Sequence, residues 1–161
     1  MADKTAGVST LGITFGYAPE TTAGVKPTTG WKQLTRINEI GDAEVSQEPI
    51  DASALEDKVQ KNVEGRSTIS DTLAVTVNRT PETIAEWKEV ITTYEALEGG
   101  KRMWFQTITP GFSDAEFVVA APPRAIPISG KSQNSLQTMV MNLVIKDFIG
   151  TDAKVDFTPG E

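Results

Sequence analysis

One stretch decides what this chain can become. From Thr80 to Leu97 the apolar residues Ile84, Trp87, Val90, Ile91, Tyr94 and Leu97 recur at spacings of three and four, which is the period of a helix with one buried stripe. Thr80 is positioned to cap it, Pro81 suits its first turn, and Gly99 and Gly100 stop it. The spacing predicts a helix over about 81–98. Elsewhere the text alternates apolar with polar residues, which is the period of strands. A lone helix must lay its stripe on something, and only a sheet is on offer. The expected fold class is therefore mainly β (α+β): a β-sandwich or partly closed barrel with one flanking α-helix.

The strands read as follows. A short one around Leu11 to Tyr17 leads into an irregular arm, APETTAGVKPTTG, so 1–30 form an N-terminal strand and arm. From Lys32 to Glu48 two short strands are expected, broken at Gly41 and Asp42, the second with Ala43 and Val45 on one face and Glu44, Ser46 and Glu48 on the other. Residues between Pro49 and Gly65 are charged, poor in large apolar side chains and without a period, the mark of a long exposed loop between two strands of an inner sheet. Beyond it Ile69, Leu73, Val75 and Val77 alternate with Thr68, Ser70, Thr72, Thr76 and Asn78, reading as one continuous strand. After the helix, Arg102 to Thr109, Ala115 to Ala121 and Ser135 to Ile149 complete the set. The last carries Met139, Met141, Leu143 and Ile145 on one side and Leu136, Val140, Val144 and Phe148 on the other, which predicts cover on both faces. Residues 31–149 make the β domain, and 150–161 read as a loose polar tail.

Composition narrows the chemistry. The 161 residues include no Cys and no His, so thiolate and imidazole nucleophiles, triads built on histidine, and sulfur or imidazole metal sites are out of reach. With 22 acids against 15 bases the formal charge is −7, which disfavours binding to phosphate backbones or acidic membranes. The start has no basic region followed by an apolar run, and no run is long enough to span a bilayer. The expectation is a protein made in a cytoplasm and soluble there.

Candidate sites are few. Glu82, Glu86 and Glu89 share a helix face, where a carboxylate pair or divalent-ion site competes with a solvated surface; opposite an apolar stripe the solvated surface is the expectation. Seven acids, Glu39, Asp42, Glu44, Glu48, Asp51, Glu56 and Asp57, fall in one stretch with no base. Without an EF-hand spacing, they read as a surface that repels anions or as a solvated loop ahead of a cation site. Asn78-Arg79-Thr80 matches a glycosylation acceptor by chance, there being no secretory signal. Trp31, Trp87 and Trp104 are expected in the core rather than on a sugar-stacking platform. The reading is of a non-enzyme with no cofactor and no metal.

The segment EVSQEPIDASALEDKVQKNVEGRSTISDTLAVTVNRT, set between an acidic strand and a single helix, resembles the major tail tube proteins of long-tailed bacteriophages. Ser53, Leu55, Glu56, Asp57 and Gly65 fall on that family's loop pattern, with Glu64 where the family often has proline. The likeness covers about 31–149. It implies hexameric rings stacked into a tube, neighbouring subunits joining their strands into one inner barrel with a hydrophilic lumen that conducts double-stranded DNA without binding it. Glu44, Ser46, Glu48, Thr68, Ser70, Thr72, Thr76 and Asn78 are then the luminal candidates, and Asp51, Ser53, Leu55, Glu56, Asp57, Lys58 and Gly65 the inter-ring loop. Six copies at −7 each carry −42 per ring. Implied partners are other copies of the chain and tape measure, tail terminator and baseplate proteins, in a virion tail assembled in the bacterial cytoplasm. The inner tube of a contractile injection particle and, from another class, a β-sandwich recognition module of a fibre or sugar-binding protein are the alternatives.

Overall fold

A computed structural model describes residues 7–158. The first six residues of the N-terminal segment 1–30 and the last three of the tail 150–161 lie outside the described residues. Nine strands and one helix run in the order β1 Thr14–Pro19, β2 Lys32–Leu34, β3 Ile37–Ile40, β4 Val45–Asp51, β5 Asn62–Ile69, β6 Thr72–Asn78, α1 Pro81–Glu95, β7 Met103–Ile108, β8 Asp114–Ala121 and β9 Thr138–Ala153. Seven of them form one antiparallel sheet in the order β2-β1-β7-β8-β9-β6-β3, while β4 and β5 pair only with each other.

The chain itself forces the large sheet to curl. Its two outermost strands, β2 and β3, are consecutive in sequence, and Leu34 and Ile37 are three Cα steps apart, at most about 11 Å. Seven strands laid flat would hold those edges roughly 29 Å apart, at about 4.8 Å per strand. The sheet therefore closes on itself at a corner made by Thr35 and Arg36, and Arg36 takes the left-handed φ of 57° that turns it. The fold is mainly β with one flanking helix, a partly closed barrel.

Its interior is built from alternate residues, as the strand period dictates. Phe15 and Tyr17 of β1, Met103 and Phe105 of β7, Leu73, Val75 and Val77 of β6, and Met139, Met141, Leu143 and Ile145 of β9 form one buried cluster. The helix adds Trp87 and Val90, both fully buried, with Ile84, Tyr94 and Leu97 half-buried against the cluster; Ile91 is half-buried too. Thr80 caps α1 through a reciprocal pair: the Thr83 amide donates to Thr80 Oγ1 at 3.2 Å and the Thr80 amide donates to Thr83 Oγ1 at 2.9 Å. The regular helix ends at Glu95, before the glycines, with Ala96 as its C-cap.

Four expectations need correction. First, Thr68 to Asn78 is not one strand: Ser70 and Asp71 divide it, and β5 and β6 belong to different sheets. Second, 49–65 is not all loop, because β4 runs to Asp51 and β5 begins at Asn62, leaving 52–61 as the connection. Third, the tail is tied down. β9 continues to Ala153, the Gln106 side chain makes two hydrogen bonds to the Val155 backbone (2.8 and 2.9 Å), and the Thr158 amide donates to the Trp31 carbonyl at 2.7 Å. Val155 and Phe157 thereby cover a second cluster of Trp31, Trp104, Phe117 and Val119 on the barrel's outside. This needs Gly16, where a Cβ would sit 2.3 Å from the Phe157 ring and 2.4 Å from the Lys32 carbonyl oxygen. Fourth, the helix acids are not merely solvated. Glu86 accepts from the Thr35 amide (3.1 Å) and hydroxyl (2.8 Å), and Glu89 pairs with Lys32, fastening α1 to the barrel corner.

The arm 20–30 is clamped by an ion pair whose carboxylate is buried and whose guanidinium is half-buried. Glu20 Oε1 accepts from the Arg102 amide at 2.6 Å and from its guanidinium at 3.2 Å, and Arg102 also reaches Asp147 at 3.3 Å. Burial pushes the Glu20 carboxyl up, but hydrogen bonds from Arg102 pull it down and prevail, leaving it below its ordinary 4.5. The Trp104 indole N–H and Glu20 Oε2 are both buried and make no hydrogen bond of good geometry; the N–H dipole still favours the charged carboxylate. A depressed folded-state pKa stabilises the fold above 4.5, and that contribution is lost as pH falls through the lower folded value. Thermal melts from pH 6 downward are expected to show a steeper fall below about pH 4.5 for the wild type than for Glu20→Gln. Parallel curves would mean the pair contributes nothing to acid sensitivity.

Candidate assembly surface

The β4–β5 hairpin is the part of the molecule that its own fold does not account for. Every residue of β4 is exposed, and in β5 only Gly65 is even half-buried. An isolated two-stranded ribbon is marginal in water. This one supplies no side chain to either core cluster, yet it exposes Val45, Ile50, Leu55, Val59, Val63 and Ile69. It continues the β3–β6 pair beyond Thr72, joined at its base by the Ser70 amide donating to the Glu44 carbonyl at 3.0 Å and the Glu44 amide donating to Ser70 Oγ at 3.0 Å.

Register sorts its side chains. Val45 faces Ile69, Ser46 faces Thr68, and Gln47 faces Ser67; then Pro49 faces Glu64, so β5 carries one extra residue opposite Glu48. Gly65 occupies this bulge. A Cβ there would lie 2.3 Å from the Glu48 carbonyl oxygen and 3.2 Å from Ile50 Cγ1, so the glycine is required for space. Ser46, Glu48 and Thr68 share one face, and the Ser46 and Thr68 hydroxyls meet at 3.0 Å.

The eight luminal candidates therefore divide between two surfaces. Glu44, Ser46, Glu48, Thr68 and Ser70 lie on the hairpin or at its base, all exposed except half-buried Ser70. Thr72, Thr76 and Asn78 lie on the outward face of β6. There they neighbour Val140, Asn142 and Val144 of β9, and Thr76 also faces the exposed Glu39 of β3, so this wall is hydroxyl-rich with an apolar admixture and a carboxylate at its edge. The cover expected over β9's second side is not supplied by the described residues: Val144 is 53% exposed and Leu136 68%. Phe148 leaves that side, because a register shift between Val119 and Ala120 inserts a residue into β9 and carries its ring to the core face.

At the tip, local hydrogen bonds shape the connection 52–61. Asp51 accepts from the Ser53 amide at 2.9 Å, and Asp57 accepts from the Ala54 amide at 2.8 Å and pairs with Lys61 at 3.1 Å. Each bond favours the ionised carboxyl, so both aspartates lie below the usual carboxylate range, Asp51 through Ser53 and Asp57 through Ala54 and then Lys61. Leu55, Glu56 and Lys58 are exposed there. One concavity is a cleft of about 280 Å³ between Ile40, Phe15, Leu73 and Phe148, in which Glu116 is the single ionisable lining group among the described residues, and a wider one of about 480 Å³ beside it adds Glu39 and Asp42. No three carboxylates converge on a metal-sized site among the described residues. All three tryptophans are buried. What sequence reasoning missed was that the acidic tract and the tip belong to one paired ribbon; the Val45/Ile69 match was the available signal.

No protein-family model and no curated protein matches the chain. Among solved structures it is similar to a chain of the anti-feeding prophage baseplate, determined by cryo-EM with six-fold symmetrisation, at a TM-score of 0.47 and 11% identity over 93% of this chain and 95% of that one.

Proposed function

We propose that this protein is a structural subunit of a phage tail tube, which stacks as hexameric rings around a hydrophilic bore that passes double-stranded DNA, and that it is not an enzyme. The observation that carries the reading is the β4–β5 ribbon: exposed at every residue but Gly65, bearing apolar side chains, and marginal unless another copy pairs with it. Joined around a ring, such ribbons and the outward faces of β6 and β9 make a continuous barrel lined by Glu44, Ser46, Glu48, Thr68, Ser70, Thr72, Thr76 and Asn78. Carboxylates and hydroxyls on that wall repel or ignore phosphates, so DNA moves past. The tape measure, terminator and baseplate proteins are the partners at the bore and ends.

Purified protein at rising concentration, imaged by negative stain and followed by sedimentation, is expected to pass from small species to rings and tubes of one diameter with a stain-filled centre. A persistent monomer at every concentration, including mixtures seeded with tail initiation complexes, overturns the proposal.

A further inference from the structure

The outer face of β1, β7 and β8 carries a trough that the chain fills with its own end. Register sets Gly16, Gln106 and Phe117 side by side on these three strands. Strand parity turns them away from Phe15, Phe105 and Val118, which face the core. The row is low at Gly16, which has no side chain, and Trp104 stands in the next row.

Residues 154–158 cross this row from strand to strand. The Lys154 amide donates to the Ser113 carbonyl, just ahead of β8, at 3.2 Å. Gln106 of β7 then reads Val155 at both ends of its peptide, Oε1 accepting from the Val155 amide at 2.9 Å and Nε2 donating to the Val155 carbonyl at 2.8 Å. The Phe157 ring occupies the space over Gly16 of β1, and the Thr158 amide donates to the Trp31 carbonyl, just ahead of β2, at 2.7 Å. Four extended residues reach about 14 Å, which matches three strand spacings of about 4.8 Å.

Gln106 shows what the trough recognises. A fully buried side-chain amide is costly without partners, and among the described residues its partners are the backbone groups of Val155 alone. It therefore binds a crossing chain whatever side chain that residue bears. Selectivity comes from the cluster of Trp31, Trp104 and Phe117, against which Val155 and Phe157 pack, two positions apart, while Lys154, Asp156 and Thr158 are exposed. Val155 and Phe157 are themselves only half-buried, so a better-fitting pair has surface left to gain. The root of the strap is firm: Lys26 Nζ donates to the Ala153 carbonyl at 2.7 Å and pairs with Asp152 at 3.3 Å. Past Lys154 the backbone makes a single isolated bridge, Thr158 with Lys32, and no strand ladder.

We infer that this trough is a peptide-binding site that the chain's own tail holds against a partner: an extended segment of another protein carrying two apolar side chains two positions apart, the second aromatic, which displaces residues 155–158. The tail itself displays the chemistry of that ligand. Being tethered, it acts at an effective concentration of order millimolar, and the apparent affinity for a free segment falls by the fraction of molecules in which the trough is open. No hairpin residue belongs to the site, so it is independent of the tube reading.

The probe is the capped pentapeptide Lys-Val-Asp-Phe-Thr, which contains no tryptophan. In the full-length variant Val155→Ala with Phe157→Ala, tryptophan emission is expected to shift to the red as Trp31 and Trp104 lose their cover, and added peptide to reverse the shift. Wild type is expected to bind the peptide at least about tenfold more weakly than this variant. Adding Gln106→Leu to the variant, or replacing the peptide's phenylalanine by alanine, is expected to weaken binding about tenfold or more. The wild-type chain supplies a second readout that does not depend on the variant's folding. At saturating peptide its Val155 and Thr158 amides, which lose Gln106 and Trp31 as acceptors, are expected to exchange hydrogen faster. Unchanged protection, or equal binding of the peptide and its alanine form, overturns the site and leaves the tube reading standing. Rings or tubes that dissolve on adding peptide would make a second copy's tail the occupant and overturn the separate partner.

Discussion

Gly65→Ala is expected to abolish or severely weaken assembly while leaving the folded body intact. The added methyl would meet the Glu48 carbonyl oxygen at 2.3 Å, a backbone atom that cannot swing aside as a side-chain end would. The bulge must shift, and in a ribbon whose faces alternate, a shift of one residue exchanges Ser46, Glu48 and Thr68 for Val45, Gln47 and Ile69 on the assembling surface. Overpacking of this kind costs about 1–3 kcal/mol, and each 1.4 kcal/mol is tenfold in an association constant, so the assembly concentration rises by about tenfold to a hundredfold. The melting temperature of the monomer is expected to stay within about 2 °C of wild type, because neither core cluster uses a hairpin residue. Sedimentation and a thermal melt on the same sample decide it. Assembly at the wild-type concentration would show that the ribbon's register plays no part in polymerisation, and a large drop in melting temperature would show that the hairpin is part of the core after all.

How legible the fold was depended on whether burial repeats in the local text. The helix was legible because Trp87 and Val90 bury deeply while Ile84, Tyr94 and Leu97 pack half-buried on the same stripe, so sequence period and packing coincide. β7 and β8 were legible as short apolar runs bounded by turn residues, each buried on both faces over consecutive positions. The hairpin's middle, from Pro49 to Gly65, was read as loop because it buries nothing within the chain; a strand stabilised by pairing alone leaves no alternation of large apolar residues to see. The false single strand from Thr68 to Asn78 has a different origin: Ile69 keeps the same parity as Leu73, Val75 and Val77, so the pattern resumes in phase past Asp71, the one polar residue at that parity, although Ile69 is exposed and the others are buried.

The outer cluster was hidden because its parts are scattered. Trp31 comes from the arm, Trp104 and Phe117 from β7 and β8, and Val155 and Phe157 from a tail that looks polar, and only the space left by Gly16 lets Phe157 approach. β9 gave a correct sign of its importance with a wrong interpretation. Its second apolar side is real in Val140 and Val144, but the described residues offer no cover. Val140 and Val144 share the face of Thr76 and Thr72, which the proposed function turns to the bore, whereas the hairpin's valines and isoleucines are where it places a second copy.

The largest stability effect is expected at Trp87. It is fully buried at the centre of the helix stripe, among Val90 and the inward residues of the barrel. Trp87→Ala deletes the indole, and the cavity and lost transfer free energy together cost about 3–5 kcal/mol. For a domain of this size, at about 2–4 °C per kcal/mol, the melting temperature falls by about 10–15 °C, and the loss is a large share of the 5–15 kcal/mol typical of whole domains. Trp87→Phe separates packing from polarity. The indole Nε1 is buried with no hydrogen-bond partner, so phenylalanine forfeits no bond and removes an unsatisfied donor of the sort that costs about 1–3 kcal/mol. That gain offsets part of the lost ring volume, and the phenylalanine variant is expected within about 1.5 kcal/mol of wild type. Denaturant unfolding of both variants checks the pair. An alanine variant as stable as wild type would show that α1 is not held to the barrel through this side chain, and a phenylalanine variant as damaged as alanine would show that the indole N–H has a partner that phenylalanine cannot replace.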